Sequence, residues 1–241
     1  MWDHSSAAVK AGPLLGMAFC LSVFCLIIAS ACTAKRKTVL DIPDGSAGII
    51  AYGSLVSLPS FEQTLRHKYA GPIHQIHLAG YERAWACVRP FNDARAPSGA
   101  QKMAAFLARG SERVPIAGTA ELNISAKKGG RINAILYVIS QEDLANLDKR
   151  EWGYQRVDVT DKIEEFRFRG GKVYVYEGLP GQPAGSLTDN SVYILIKEFR
   201  DLVTGACDAV GKIFREEFDK STRPCPFDVV SYKDIIWDES K

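Results

Sequence analysis

Two stretches decide the reading of this chain: Gly48-Ile49-Ile50-Ala51-Tyr52-Gly53-Ser54-Leu55 and Leu147-Asp148-Lys149-Arg150-Glu151-Trp152-Gly153-Tyr154. The first begins as an apolar run with the brevity and β-branched content of a buried strand. Gly53 then lets the backbone turn sharply and leaves its amide uncovered by any side chain. Successive exposed amides at Gly53, Ser54 and Leu55 form a concavity that suits an anionic group. The second stretch puts one carboxylate, Glu151, at the end of a helix, one turn beyond Leu147 and followed by Trp152 and Gly153. Burial beside an aromatic raises a carboxyl pKa and makes a proton acceptor usable near neutral pH. An anion cradle and a partly buried carboxylate together point to proton transfer on a small zwitterion.

Outward from these stretches, residues 34–46 read as a linker, with Pro43, Asp44, Gly45 and Ser46 as breakers. A strand is expected at 48–53 and a helix over 59–69, with Ser60 as its cap. A long strand pattern runs over 73–88, and the polar stretch 90–99 reads as a surface loop and candidate lid. Strands at 103–109 and 116–124 precede Lys127-Lys128-Gly129-Gly130, a turn signal leading into a strand at 132–138. Ser140-Gln141-Glu142-Asp143 is a capping-box pattern that opens the helix bearing Glu151. Strands at 154–160 and 164–169 lead to a Gly170-Gly171 hairpin with a strand at 172–177. The apolar residues of 191–219 have mainly helical spacing. Many strands with interleaved helices indicate one α+β domain over residues 47–241.

The same residues carry a family resemblance. A strand ending in Tyr52-Gly53-Ser54 and a later Leu147-Asp148-x-x-Glu151 followed by Tyr154 resemble the γ-glutamylcyclotransferase family. Gly80-Tyr81-Glu82-Arg83-Ala84-Trp85 and Val173-Tyr174-Val175-Tyr176 support the likeness, which covers roughly residues 47–230. The resemblance implies a small mixed or closed sheet with flanking helices, and a reaction in which a γ-glutamyl compound closes on itself to 5-oxoproline. Glu151 would be the acid/base residue, and Tyr52, Gly53, Ser54, Leu55, Tyr154 and Tyr176 would contact the substrate. On position alone the tyrosines are equally packing residues with one satisfied hydroxyl, and Ser54 is equally a turn former. The chain departs from the family at Leu55-Val56, where several branches have Asn-Leu. The leaving group is open among glutathione, γ-glutamyl amino acids and γ-glutamyl amines. A non-catalytic glutamyl-binding module and a membrane scaffold are the readings from other classes.

Composition narrows the field. The 241 residues are 46% apolar and 24% charged with a net charge of +2, which is globular and gives no nucleic-acid footprint. No phosphate-binding, dinucleotide or nucleophile-elbow motif occurs, so the sequence implies no cofactor. His74 and His77 lie three apart in a strand pattern, on opposite faces, and imply no metal site. Cys87, Cys207 and Cys225 are widely spaced and read as reduced thiols.

Residues 12–33 are uncharged, apolar and just long enough to span a bilayer as a helix. Lys35-Arg36-Lys37 outweigh Lys10, which favours a single-pass anchor with a cytoplasmic domain. Ala29-Ser30-Ala31 before Cys32 leaves a lipoprotein signal, lipidated at Cys32, as the alternative. The expected organisation is therefore a membrane segment over 1–33, a linker over 34–46 and the α+β domain.

Overall fold

The computed structural model describes residues 37–91, 93, 104–179 and 192–238, so the apolar segment 12–33 and most of the 90–99 loop lie outside the described residues. Among the described residues, no helix is long and apolar enough to cross a membrane. In chain order they form β1 (Thr38–Ile42), β2 (Ser46–Ala51), α1 (Leu58–Leu65), β3 (His74–Pro90), β4 (Ala104–Arg109), β5 (Glu112–Ser140), α2 (Gln141–Arg150), β6 (Tyr154–Asp158), β7 (Phe166–Gly170), β8 (Val173–Gly178), β9 (Val192–Ile196), α3 (Lys197–Val210), α4 (Lys212–Ser221), β10 (Thr222–Arg223), β11 (Asp228–Val230) and β12 (Ile235–Asp238). The class is mixed α+β. The sheet is larger than the small one expected, with ten strands among the described residues.

Its size comes from β5. At 29 residues this strand meets a succession of partners along its length. Its first half pairs with β4 and β9, its second half with β2, and β3 runs antiparallel to most of it. The main path is β10-β3-β5-β2-β8-β6, with β2 and β8 parallel and β8 and β6 antiparallel. Alternation along β5 buries Ala120, Leu122 and Ile124, and Leu122 and Ile124 join a core cluster with residues of β2, β8 and the helices. A second, smaller cluster gathers Ala105, Leu107, Ile116, Ile194 and Ile235 at the other end of β5.

Several local expectations change. The stretch 38–42, expected within the linker, is β1, paired in parallel with β7 through Thr38↔Phe166 to Ile42↔Gly170. That pairing removes the Gly170-Gly171 hairpin: β7 belongs to a separate two-stranded sheet, and β8 crosses to β2. Lys127-Lys128-Gly129-Gly130 does not end a strand. Tyr81 pairs with Ala126 and Ala79 with Arg131, so these four residues bulge out opposite Gly80 and β5 resumes in the same direction. Gly80 and Gly129 supply the positive φ values, +81° and +76°, that the excursion requires. Helix α1 starts at Leu58, two residues before Ser60, and Ser57 is its cap. Residues 192–196 of the expected helical region form a strand before the chain enters α3.

One buried side chain ties these layers together. Arg83 on β3 is fully buried, its guanidinium 4.0 Å from the Phe218 ring centroid. It donates to the Asn133 carbonyl (2.8 Å) and side-chain oxygen (2.7 Å), the Tyr52 carbonyl (3.3 Å), and the Ser221 and Thr222 hydroxyls (2.8 Å each). Asn133 in turn donates to the Phe214 carbonyl of α4. Burial pulls the Arg83 pKa down to about 9, which still leaves it charged at neutral pH. Its acceptors are neutral dipoles from the residue after β2 and from β5, α4 and β10. Truncation strands several of them without a donor, and a buried unsatisfied acceptor costs about 1–3 kcal/mol. Arg83→Met is therefore expected to lower the unfolding free energy by about 3 kcal/mol or more. Urea denaturation measures it, and an unchanged midpoint would show that Arg83 does not hold the layers.

Candidate active site

The site begins where β2 ends. After Tyr52 the chain makes a single 3-10 turn, Ser54–Val56, with Gly53 before it and no side-chain cap. Val56 N bonds to Gly53 O and Ser57 N to Ser54 O, which closes the turn from its far side. The amides at its start have no intrahelical acceptor, as at any helix beginning. Gly53 has φ −131°, so a left-handed turn is not what calls for glycine here. A Cβ at this position would make ordinary contacts, at 3.6–3.7 Å, with Leu122, which lines the same cavity. Space beside Leu122 therefore does not require glycine at this position.

Helix α2 delivers Glu151. Ser140 caps it, its Oγ accepting from the Asp143 amide at 3.1 Å. Glu142 and Asp143 occupy the first turn, and Lys149 and Arg150 the last, which suits the helix dipole. Leu144 and Leu147 are buried and fix the rotation of the helix. Glu151 is the residue just past the helix, not within it. Its amide donates to Leu147 O at 2.9 Å, and its carbonyl accepts from Tyr154 N at 2.8 Å. The backbone on both sides of the carboxylate is thus bonded, and only 12% of its side chain is exposed.

Tyr52, Gly53, Ser54, Leu55, Glu151, Tyr154 and Tyr176 all line one cavity of about 160 Å³. That is close to the roughly 150 Å³ cavity that takes up benzene in an engineered core. The three tyrosine hydroxyls are committed to the protein: Tyr52 donates to Tyr176 O (2.7 Å), Tyr154 to Leu122 O (2.8 Å) and Tyr176 to Asp148 Oδ1 (2.8 Å). Trp152, expected as the apolar neighbour of Glu151, has its ring 4.9 Å from the Arg89 guanidinium and does not line the cavity.

Three charged residues of the lining were not among the candidates: Arg89 at the end of β3, Glu121 on β5, and Arg150. Arg89 and Glu121 form an ion pair at 3.0 Å. Arg89 also lies 5.1 Å from the Tyr154 ring centroid, and its buried Nε has no hydrogen-bond partner among the described residues. Sequence spacing carries no signal for this pair, because a bulge between Trp85 and Cys87 sets its register. Arg150 was legible only as a cation in the last turn of a helix.

Burial pushes the Glu151 carboxyl above its ordinary range; Arg150 and Arg89 oppose that shift and Glu121 adds to it. Burial also raises Glu121, against the pull of Arg89 and Arg150. For Arg89 burial acts against the charge, yet Glu121, Tyr154 and Glu151 outweigh it and hold the guanidinium firmly protonated. The cavity thus contains two guanidinium groups and two carboxyls whose proton affinity exceeds that of ordinary surface acids. Potential metal donors are found elsewhere: His77, Glu164 and Glu165 lie close together but do not line this cavity. The His77 ring nitrogens already meet Glu165 (2.7 Å) and Glu217 (3.0 Å). Cys87, Cys207 and Cys225 form no disulfide among the described residues.

No protein-family model and no curated protein matches the sequence. Among solved structures, the chain is similar to a gamma-glutamyl cyclotransferase, with 13% identity and a TM-score of 0.44 over 78% of this chain and 95% of that one. An uncharacterized Homo sapiens protein, loc79017, gives 13% identity and a TM-score of 0.45 over 79% and 96%. The Arabidopsis thaliana protein At3g28950.1 gives 18% and 0.31 over 55% of this chain, which spans 62% of that protein's solved length. Scores and identities this low carry no weight for the chemistry of the site.

A raised carboxyl pKa has a thermodynamic sign. Native Glu151 binds its proton more tightly than the unfolded chain does, around the ordinary value of 4.5. Folding stability contributed by this group is therefore full below that value and is lost as pH rises through the native midpoint. Glu151→Gln removes the penalty. The variant is expected to melt above the wild type at about pH 8, with the difference vanishing near pH 4. Differential scanning calorimetry at the two pH values checks this, and equal melting at both would refute a raised native pKa.

Proposed function

We propose that this protein is a cyclotransferase of γ-glutamyl compounds, releasing 5-oxoproline and a free amine or amino acid. The observation that supports it is the convergence of Glu151 and the Gly53–Leu55 turn on one small, charged cavity. A γ-glutamyl compound carries its own nucleophile, the α-amino group, positioned to close a five-membered ring on the γ-carbonyl carbon. Intramolecular attack of this kind has a high effective molarity, so the site need not hold a second reactant. Its tasks are to bind a zwitterionic head and to carry protons from the attacking nitrogen to the leaving one.

In this reading Glu151, ionised, accepts a proton from the α-ammonium. The freed amine attacks the γ-carbonyl, a C–N bond forms, and the oxygen takes up the negative charge. Amides at the start of the Ser54 turn stabilise that charge. Collapse breaks the bond to the leaving nitrogen, to which Glu151 returns the proton; Glu151 then takes the second proton from the ring nitrogen and passes it to the released amine, which departs as an ammonium. A carboxyl with a raised pKa suits both halves of this exchange better than an ordinary surface glutamate. Residues 12–33 complete the proposal as a membrane attachment.

The test is release of 5-oxoproline by the full chain from glutathione, γ-glutamyl-alanine and ε-(γ-glutamyl)-lysine. Turnover of at least one is expected, falling by about 10²–10⁴-fold in Glu151→Gln. Binding without product would leave a glutamyl-binding module, and neither binding nor product would overturn the assignment of the cavity.

A further inference from the structure

Arg150 makes more connections than a helix-end cation requires. Its Nη2 donates to the Ser54 hydroxyl and to the Ser60 hydroxyl, each at 3.1 Å. Nη1 donates to the Ser60 carbonyl at 3.1 Å and to the Thr64 hydroxyl. Its Nε lies 3.5 Å from Glu151 Oε1. One guanidinium thus touches the 3-10 turn after β2, two turns of α1, and the cavity carboxylate. A solvated cation that only complements the end of α2 needs none of these. Lys149, beside it in the same last turn, makes no such set of contacts.

We propose that Arg150 is a positioning residue: it fixes Glu151 relative to the Ser54 turn and sets a positive charge against its carboxylate. The geometry supplies both effects. The fork shared by Ser54, Ser60 and Thr64 locks the guanidinium in place, and the locked charge then faces Oε1 from within α2. The other groups that act on Glu151 come from different elements: Arg89 from β3 and Glu121 from β5, with the Tyr52 and Tyr176 phenols and the Cys87 thiol also electrostatically coupled to it. Arg89 is spent on Glu121, so Arg150 is the cation with Glu151 as its nearest carboxylate in the cavity. Because the Ser54 oxygen accepts from Arg150, the Ser54 proton is left to point at a bound anion. A single side chain therefore prepares the base and the anion cradle together.

The proposal rests on Glu151 being the proton acceptor, and its test separates the two. The first measurement needs no turnover: the Glu151 carboxyl is titrated by ¹³C NMR in the full chain, in Arg150→Met and in Arg150→Lys. The midpoint is expected to move to higher pH in Arg150→Met and to stay closer to the wild type in Arg150→Lys, which keeps the charge but not the fork. The second is the pH profile of 5-oxoproline release. Arg150→Met should lose about tenfold to a hundredfold in kcat/KM at neutral pH and recover part of it as pH rises. Arg150→Lys should show a pH-independent loss instead, from misplacement alone. An unmoved Glu151 midpoint in Arg150→Met with the fold intact would overturn the proposal. Absence of 5-oxoproline from the wild type would instead overturn the proposed function and leave the titration to decide the role of Arg150.

Discussion

The structure depends on a buried charge whose hydrogen-bond acceptors are all neutral. Arg83 reaches from β3 to the end of β2, the middle of β5, the C-terminal half of α4 and the first residue of β10, and every oxygen it meets is neutral. Taking a guanidinium out of water is tolerable only where its donors are nearly all satisfied. The site inherits that rigidity through one bond. Arg83 holds the Tyr52 carbonyl, and the next residue begins the turn that forms one wall of the cavity. The opposite wall is set by Ser140 and by the buried Leu144 and Leu147, which determine where α2 stops and Glu151 starts. Fold and site are thus joined at two points, one buried and cationic, the other a helix cap.

The cavity balances its charges unevenly. Arg89 and Glu121 form a tight pair, whereas Arg150 and Glu151 stand 3.5 Å apart with the guanidinium engaged elsewhere. For the tightly paired Glu121, the Arg89 charge works against the rise that burial causes. The looser one keeps the capacity to change its protonation state. Burial raises both carboxyls, but only Glu151 combines that with a nearby cation and free coordination. This asymmetry distinguishes the two carboxylates of the same hollow.

What the sequence disclosed and what it concealed follow the range of the interactions. Ser140 and Asp143 are three residues apart, so the start of α2, and with it the placement of Glu151, could be read directly. The Tyr52–Leu55 turn was legible for the same reason. The Gly170-Gly171 pair suggested a hairpin, yet the partner of β8 lies far away in β2, and local turn chemistry has no access to that choice. Lys127–Gly130 gave a true turn signal, but the pairing of Tyr81 with Ala126 and of Ala79 with Arg131 converted it into a bulge. Thr38–Ile42 looked like a linker because its partner, β7, contributes the pairing only in three dimensions. Arg89 and Glu121 meet across two strands, so neither stood out alone.

The three tyrosine hydroxyls of the cavity each give their proton to a protein oxygen. What they offer inward is therefore lone pairs and ring faces. A guest is welcome there as a donor or a cation and is repelled as an acceptor, while the turn and the two arginines have the reverse preference. The cavity therefore meets a guest with acceptors and ring faces from its tyrosines and with donors from the turn and the two arginines. Where three phenolic protons are spent decides which faces of the cavity can only accept.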